Sequence, residues 1–397
     1  MTHTILFAHH DANLAGSTIS LGNVLAHLNR AEFTPKVLLA QNGPAKAYYE
    51  AMNVKVDVVP AFRFGTFPGP RPWKVGWLLN WRAFVPNPRL SKYLQSSQWD
   101  MLHINDKAFI SAGLAARGLK KPIIWHMRSS YFPTYSRLNA VVSRDIIRSI
   151  ADHIVAISED EIDGFEDLKN SEIIYNSVDF EKTTRAVAER AKTRHNLGLK
   201  DDDLLIGQVS TSIGEVRGTW DFLHACGRIY AALQKSAVKF MVVAAIPDRG
   251  KYRSNVPHPL DQARQIAHEE NITDRLTFTG YRQDALELMA AMDIVVVCNR
   301  HGVLGRMPFE AMACGRPLVV TAGHSGKSQV VVDQETALIV PPKTPDAIAA
   351  AVCRLAGDEV LRQHLAEQGP IYARDNFDPL QNARRIENIY RKLLAGK

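Results

Sequence analysis

The pattern of apolar and polar positions alternates between two kinds of segment along the chain. Short strand-like runs rich in apolar residues are separated by stretches in which apolar residues recur at helical spacing. In the first half the runs lie at 5–8, 36–39, 54–59, 101–104, 122–125, 153–156 and 172–175. This alternation predicts a parallel sheet with helices on both faces.

A charged helical stretch over 180–200, followed by three consecutive aspartates, interrupts the alternation and is interpreted as a link between domains. The apolar runs then resume at 204–209, 239–245, 276–279, 294–298, 318–321 and 337–340. We therefore predict an α/β protein with two Rossmann-like, doubly wound domains, 1–185 and 200–375, which face a central cleft. Because such sheets bind ligands beyond the carboxyl ends of their strands, residues directly after a strand are the candidates for chemistry.

Composition narrows the classes of function. The chain has 397 residues, of which 46% are hydrophobic and 22% charged, and it contains no apolar run of membrane-spanning length. The first residues lack a signal-peptide pattern, and the four cysteines stand singly without metal-ligand spacing, which favours a reducing cytoplasm. A net charge of +7 favours anionic partners or simply reflects solubility. No nucleic-acid-binding motif accompanies it, so we predict no nucleic-acid partner.

A glycine turn follows the predicted strand at 294–298, in the sequence NRHGVLGRMPFEAMACGRPLVVT. Gly305 stands just before a helix that is predicted to start near Arg306, and Glu310 lies about one turn into that helix. A helix start exposes unpaired backbone amides, which suit a phosphate. Glu310 is interpreted either as an acceptor for a diol such as a ribose or as an acid stabilised by the helix dipole.

The run FEAMACGRP at 309–317 resembles the nucleotide-sugar signature of retaining glycosyltransferases of family 4, which have the GT-B fold. The resemblance continues at 276–282, 338–342, 156–160 and 173–179, and the closing helix, within 376–397, resembles the last helix of the family, which packs back on the first domain. It implies a metal-independent transfer from a nucleoside diphosphate sugar to a glycan or glycolipid acceptor, with no cofactor.

The resemblance also implies roles for individual residues. Glu310 would bind the ribose, the amides of Leu304, Gly305 and Arg306 would hold the diphosphate, and Arg217 would stabilise the leaving diphosphate. For Arg217 the alternative is an ordinary surface arginine in a turn. The other positions that match the donor side are Gln208, Ser210, Tyr281 and Arg282.

Three positions depart from the family pattern. Gly302 and Gln329 stand where the family has glutamates, and Gln208 stands where it commonly has an arginine. A neutral glutamine cannot offset developing charge, although its amide could donate a hydrogen bond. These departures leave open a non-catalytic nucleotide-sugar or glycan-binding module, and a sugar-nucleotide epimerase or a phosphorylase of the same fold.

Candidate acceptor-side residues follow strands of the first domain. His126, where the family often has a histidine that contacts the donor sugar or phosphate, is predicted to be catalytic together with Arg217, with Arg128 beside it. Gly16 and Ser17 open a helix after the first strand, with Ser17 a predicted cap. Asn105, like its neighbours His103 and Asp106, is either an acceptor ligand or a turn residue.

The segment 71–94 carries Trp73, Trp77 and Trp81 at four-residue spacing among basic residues. An aromatic and basic stripe of this kind fits contact with an anionic membrane, and the alternative is a helix packed on the core. We expect a cytoplasmic protein, placed at the inner face of the cytoplasmic membrane if this contact exists.

Overall fold

The structure is a computed structural model that describes residues 2–61, 81–129, 137–234, 237–251, 257–300, 305–321 and 331–396. The chain divides into two compact units, Met1–Ser177 with Pro379–Lys397 and Val178–Asp378. Each is an α/β unit built on one parallel sheet. The two parallel sheets predicted from the apolar runs are confirmed.

The first unit contains a seven-stranded sheet in the order β3-β2-β1-β4-β5-β6-β7. Its strands are β1 (His3–His9), β2 (Phe33–Leu39), β3 (Lys55–Val58), β4 (Met101–Asn105), β5 (Ile123–Met127), β6 (His153–Ala156) and β7 (Ser171–Ile173). The second unit contains a six-stranded sheet in the order β10-β9-β8-β11-β12-β13. Its strands are β8 (Leu204–Ser212), β9 (Val238–Ala245), β10 (Leu276–Phe278), β11 (Ile294–Val297), β12 (Leu318–Thr321) and β13 (Leu338–Val340).

Helices connect the strands, as parallel pairing requires. Those described in the first unit are α1 (Gly16–His27), α2 (Pro44–Glu50), α3 (Pro88–Ser96), α4 (Ile110–Ala116), α5 (Arg137–Ile150), α6 (Glu159–Ile162) and the closing helix α15 (Pro379–Ala395). Those described in the second unit are α7 (Phe180–Ala188), α8 (Arg190–Asn196), α9 (Thr219–Leu233), α10 (Pro259–Glu269), α11 (Ala285–Ala291), α12 (Met307–Ala313), α13 (Pro345–Gly357) and α14 (Glu359–Phe377). None of these helices is long and apolar enough to cross a bilayer.

Strand β1 shows why its sequence is continuously apolar. Ile5 and Phe7 point into a core shared with α1 and α15, whereas Leu6 and Ala8 point into a second core shared with α4. Both faces of the sheet are therefore covered, and every position of the strand centre is buried.

The closing helix α15 packs on the first unit through one face. Ile386, Ile389 and Tyr390, which recur at helical spacing, join the core formed by β1, β2 and α1. The rings of Phe33 and Tyr390 meet edge to face with centroids 5.4 Å apart. Residues of α15 thereby reach the face of the sheet on which the polar groups described below lie.

The charged stretch predicted as a link between domains forms two helices, α7 and α8, that pack within the second unit. Arg190 and Arg194 extend from α8 to the carboxylate of Asp293, with Nη2–Oδ1 and Nη1–Oδ2 distances of 2.5 and 3.0 Å. Because these contacts attach α8 to the start of β11, the second unit begins at Val178 rather than near residue 200. The ranges 1–185 and 200–375 stay predictions as functional domains.

Candidate active site

The carboxyl ends of β8 and β11, which are neighbouring parallel strands, border a cavity of about 50 Å³ in the second unit. Its lining residues are Gln208, Val209, Ser210, Thr211, Arg217, Val297, Cys298, Asn299, Gly305, Arg306 and Met307. Five predicted site residues, which are separated by up to ninety-eight positions in the sequence, thus meet at one place. The volume is well below the ~300–1,000 Å³ of ordinary ligand pockets, so the described walls fit one small group of a ligand.

The loop between β8 and α9 is held tightly against the end of β11. Gly218 adopts φ +68°, and a Cβ atom added there would lie 1.7 Å from the carbonyl oxygen of Cys298. Glycine is therefore required at this position both for its backbone conformation and for the close approach.

Gln208 supports the same loop. Its Nε2 donates to the carbonyl oxygen of Arg217 at 2.9 Å and to the sulfur of Cys298 at 3.2 Å. The Cys298 thiol in turn donates to the carbonyl oxygen of Gly218 at 3.2 Å. Both amide hydrogens of Gln208 are thus engaged, so the expectation that this amide could donate to a ligand is wrong for this arrangement. The side chain, 1% exposed, leaves its buried Oε1 acceptor without a partner among the described residues.

Arg217 brings a positive charge to this cavity. Its guanidinium is largely buried, and burial lowers its pKa, yet it makes no hydrogen bond or ion pair with any described residue. Removing a cation from water without a partner is unfavourable, so the position favours an anion. A guanidinium matches phosphate oxygens in a two-bond geometry.

A network that sequence reasoning missed stabilises the backbone around Arg217. Arg300, just after β11, donates to both carboxylate oxygens of buried Asp221 at 2.6 and 2.8 Å and also pairs with Glu215. Its backbone N–H donates to the carbonyl oxygen of Val216 at 3.2 Å. These contacts form because β8 and β11 are neighbours in the sheet, and the sequence alone does not show which strands pair.

Glu310 lies in the first turn of α12, which begins at Met307 with Arg306 as its N-cap residue. Arg306 Nη2 donates to Glu310 Oε1 at 2.6 Å, and both side chains are 16% exposed. The Nε atom of Arg306 is buried without a partner among the described residues. Gly305 takes φ +63°, which allows the chain to turn into the helix.

Two predicted donor-side residues stand apart from the cavity. Tyr281 is 70% exposed after β10, the edge strand of the sheet, and Arg282 is paired with Asp284 at 2.7 and 2.5 Å. Ser210, which does line the cavity, donates its hydroxyl to the carbonyl oxygen of Ser212 at 3.1 Å. Leu304 lies outside the described residues, as do Gly302 and Gln329.

In the first unit, strand register brings polar side chains together. His9, Asn105 and His126 are consecutive partners across β1, β4 and β5 at the carboxyl end of the sheet. Asn105 Nδ2 lies 2.9 Å from His9 Nδ1, and Arg128 Nε donates to Asn105 Oδ1 at 2.5 Å. Arg128 further contacts Asn176 Oδ1 at 3.0 Å and His126 Nδ1 at 3.4 Å. We call His9, His103, Asn105, His126 and Arg128 the polar layer.

Burial favours the neutral form of the histidines in the polar layer. Burial, with Arg128 as the second cause, lowers the pKa of His103 to about 3. Burial also lowers the pKa of His126 well below its usual value, followed by the charges of Arg128 and His103. For His9 the causes of a similarly lowered pKa are burial, then His10, then Arg128.

Two further contacts extend the polar layer to the closing helix. His103 Nε2 lies 3.2 Å from His126 Nδ1, and His103 Nδ1 lies 2.7 Å from the hydroxyl of Tyr390. Sequence reasoning did not find Tyr390, because only the packing of α15 on the sheet brings it near β4.

The predicted cap at Ser17 is wrong. Helix α1 begins at Gly16, with Ala15 at the N-cap position and no side-chain cap. The hydroxyl with a structural role is that of Thr18, which donates to the carbonyl oxygen of Asn13 at 2.6 Å and lies 3.0 Å from His9 Nε2. Ser17 meets the polar layer only through its carbonyl oxygen, 3.4 Å from Asn105 Nδ2.

The carboxylate of Asp106 stabilises the turn in which this residue lies. Its carboxylate accepts from the Ala108 amide at 2.9 Å and from the Ser129 hydroxyl at 2.7 Å, which favours the turn interpretation over an acceptor ligand.

Within the described part of the chain no group of three or more His, Cys, Asp or Glu side chains is arranged to hold a metal ion. The aromatic segment around Trp73 and Trp77 lies outside the described residues.

Two family models match the chain. The model described as Glycosyltransferase Family 4 matches residues 15–182, and the model described as Glycosyl transferases group 1 matches residues 204–358. Each model falls on one half of the chain and covers most of one of the two sheets.

Curated relatives and solved structures agree with these matches. The lipopolysaccharide core biosynthesis glycosyltransferases LpsD and LpsE of Rhizobium meliloti (strain 1021) are 32% and 29% identical over 117 and 137 residues, 30% and 34% of this chain. The match spans 34% and 39% of the length of those relatives, little more than a third. The crystal structure of Alr3699/HepE from Anabaena in complex with UDP has a TM-score of 0.79 at 20% identity, covering 98% of this chain and 100% of that one. A likeness at this identity shows the fold.

Proposed function

We propose that this chain, which belongs to the family 4 and group 1 glycosyltransferases of GT-B fold, transfers a sugar from a nucleoside diphosphate sugar to a hydroxyl of a glycan or lipid-linked acceptor. The observation that carries the proposal is Arg217, a mostly buried guanidinium without an anionic partner among the described residues, in a cavity at the carboxyl ends of two parallel strands. A diphosphate is the anion that this family of donors supplies.

The donor site is built in the second unit. Arg217 pairs with the diphosphate, and the backbone at Gly305 and Arg306 approaches it closely because glycine leaves that side of the chain uncovered. Glu310 accepts hydrogen bonds from the ribose hydroxyls. Arg306 Nη2 donates to Oε1 of this carboxylate, so the ion pair restricts the orientation of Glu310, and we assign the second oxygen to the nucleoside.

Transfer breaks the bond between the anomeric carbon and the diphosphate oxygen and forms a new bond from that carbon to the acceptor oxygen. The acceptor proton passes to the departing diphosphate. Negative charge develops on the leaving group, and Arg217 stabilises it without a metal ion. The acceptor hydroxyl attacks from the face that the diphosphate leaves, so the anomeric configuration is retained.

We propose that the polar layer of the first unit is a sugar-binding surface, in which His126 and Arg128 contact sugar or phosphate oxygens. Asn105 and the turn at Gly16 lie at the same edge of the sheet. The relatives LpsD and LpsE, which are lipopolysaccharide core biosynthesis glycosyltransferases, support an acceptor in surface polysaccharide synthesis. With such an acceptor, we propose that the protein acts at the cytoplasmic face of the membrane and that the segment 71–94 contacts anionic lipid.

A donor panel tests the proposal. UDP, UDP-glucose and sugar nucleotides with other bases are added to the full chain, with and without EDTA, and the melting temperature is recorded, because a ligand of the native state raises stability by mass action. We expect one base to stabilise the protein strongly, and EDTA to leave both binding and transfer unchanged. Proton NMR of the first product is expected to show the donor's anomeric configuration. An inverted product would contradict retention, and no response to any donor would contradict the proposal itself.

The second candidate is a nucleotide-sugar-binding module without catalysis. Gln208 favours it, because this side chain brings an unpaired acceptor, rather than a cation, to the diphosphate cavity. Binding of UDP-glucose without release of UDP on any acceptor extract would favour this module. An epimerase or a phosphorylase of the same fold would instead be recognised by its product, since neither joins the sugar to an acceptor glycan.

A further inference from the structure

The hydrogen bonds around His126 have only one consistent direction. A guanidinium can only donate, so the His126 Nδ1 atom, 3.4 Å from Arg128 Nη2, must accept. A neutral imidazole carries one proton, which therefore lies on Nε2 of His126. The low pKa of this buried side chain agrees with a neutral ring.

The direction continues to the closing helix. Because His126 Nδ1 accepts, His103 Nε2, at 3.2 Å, must donate to it. His103 Nδ1 is then the acceptor of its own ring, and the hydroxyl of Tyr390, at 2.7 Å, donates to it. The chain of donors thus runs from Tyr390 through His103 to His126, and all three side chains are buried, with exposures of 0%, 0% and 2%.

The end of this chain has no protein partner. Nε2 of His126 is buried and makes no hydrogen bond within the part of the chain that the structure describes. A buried donor without a partner is rare in folded proteins and needs an explanation. His126 lies at the carboxyl end of β5, where ligands of doubly wound sheets bind.

We propose that Tyr390 and His103 are positioning residues that hold His126 as its neutral Nε2–H tautomer, so that His126 offers a hydrogen-bond donor, and not a base, to an oxygen of the bound sugar ligand. The ligand side of this inference rests on the proposed function, whereas the tautomer does not. The closing helix, which is remote in sequence from the strands of the first unit, thereby supports the polar layer through the hydroxyl of Tyr390.

The tautomer is measured by long-range proton–nitrogen NMR on the full chain with ¹⁵N-labelled histidine, at pH 7.5 and without ligand. The signals are assigned with His103→Phe and His126→Gln. We expect both rings to be protonated on Nε2, with an accepting Nδ1. Protonation of His126 on Nδ1, or a doubly protonated ring, would overturn the proposal whether or not the chain is a transferase.

The positioning role is measured by turnover of UDP-glucose, with UDP release as the readout. Tyr390→Phe removes only the hydroxyl, and its matched control is Tyr93→Phe in the same unit, whose hydroxyl donates to Asp57 Oδ2 at the same 2.7 Å distance. We expect kcat of Tyr390→Phe to be about tenfold lower than kcat of the Tyr93→Phe control. We also expect Tyr390→Phe to shift the NMR signal of His103 Nδ1. The effect should disappear in a His103→Phe background, because Tyr390 acts only through His103.

Equal rates for Tyr390→Phe and Tyr93→Phe, or an undiminished effect of Tyr390→Phe in the His103→Phe background, would overturn the positioning role. If UDP-glucose is not turned over at all, the proposed function fails on that donor, and the NMR result alone decides the tautomer. His126→Gln gives a rescue test, since its side-chain amide keeps a donor near the position of Nε2. It should retain more activity than His126→Ala, and equal losses would contradict a donor role.

Discussion

Arg306 and Glu310, one helical turn apart at the start of α12, form an ion pair with 2.6 Å between Nη2 and Oε1. The ion pair fixes the orientation of Glu310, and Arg306 donates to one of its two carboxylate oxygens. Both interpretations of this glutamate, as a first-turn acid and as a ligand for a diol, stay predictions. Its proposed partner is the ribose of the donor.

Glu310→Gln is expected to weaken binding of the nucleotide sugar about tenfold, since a charge-assisted hydrogen bond is replaced by a neutral one. Calorimetric titration with the donor found by the panel measures the change. Glu287→Gln is the matched control, because Glu287 lies in the first turn of α11, a helix of the same seven-residue length, and does not line the cavity. Equal affinities of the two variants would refute the role of Glu310.

The loop that carries Arg217 depends on Gly218. Gly218→Ala and Gly198→Ala place a methyl group on residues with the same φ of +68°, but the Cβ of Gly198 would meet nothing within 4 Å. Both changes carry the left-handed penalty of about 1–2 kcal/mol, and only Gly218→Ala adds the overlap with Cys298. We expect Gly218→Ala to lower the melting temperature of the second unit by several degrees more than Gly198→Ala does, because each kcal/mol of lost stability corresponds to ~2–4 °C. Similar melting temperatures would show that the loop is not held as described.

Gln208 is predicted to act on the loop rather than on the ligand. Gln208→Leu keeps the volume but leaves the carbonyl oxygen of Arg217 unpaired, which should destabilise the second unit by about 1–3 kcal/mol in urea unfolding. Gln265→Leu, which removes an exposed amide contact with Glu269, should change stability by much less. A Gln208→Leu protein of unchanged stability and sharply weaker donor affinity would instead make Gln208 a direct ligand.

Acid should destabilise the first unit through its buried histidines. The folded pKa values of His9, His103 and His126 are lowered, so below about pH 6.5 the unfolded chain binds protons that the native state does not, and stability falls as pH falls. Each histidine contributes about 1.4 kcal/mol per pH unit in that range. Burial raises the pKa of Glu161 to about 7. Between the pKa of this group in the unfolded chain and pH 7, the native state therefore binds a proton that the unfolded chain does not, which partly offsets the loss of stability.

Urea unfolding at pH 7.5, 6.5 and 5.5 measures this dependence. Tryptophan fluorescence reports mainly on the first unit, because five of the six tryptophans precede residue 178. His103→Gln should reduce the loss of stability between pH 6.5 and 5.5 by the contribution of one histidine, about 1.4 kcal/mol. An unfolding midpoint that is independent of pH, or the same slope in the variant, would contradict neutral buried histidines.

The sequence predicted the architecture well, because the continuous burial of parallel strands leaves a direct trace in composition. Every strand of the structure overlaps an apolar run, including short β13. The site was predicted in part. Arg217 and Gly305 follow strands and Gln208 lies within β8, and strand ends of such sheets are where ligands bind.

What the sequence could not provide are contacts that depend on register and packing. His103 and His126 meet because β4 pairs with β5, and Tyr390 reaches them because α15 crosses the same face. Arg282 matches a donor-side position in the sequence, and the structure pairs it with the carboxylate of Asp284, so its role at the donor stays a prediction. The N-cap after β1 was misplaced by two residues, since Ser17 resembles a cap although Ala15 holds that position and α1 already begins at Gly16.

The central claim is that Arg217 binds the diphosphate of the donor, and calorimetry of wild type and Arg217→Ala with the panel's best nucleotide sugar tests it most directly. Hydrogen bonds to a charged group contribute about 1.5–3 kcal/mol, so affinity should fall about 10- to 100-fold. Arg249→Ala, at an exposed arginine of the same unit paired with Asp261, should bind like wild type. Tight binding that Arg217→Ala leaves unchanged would contradict the account.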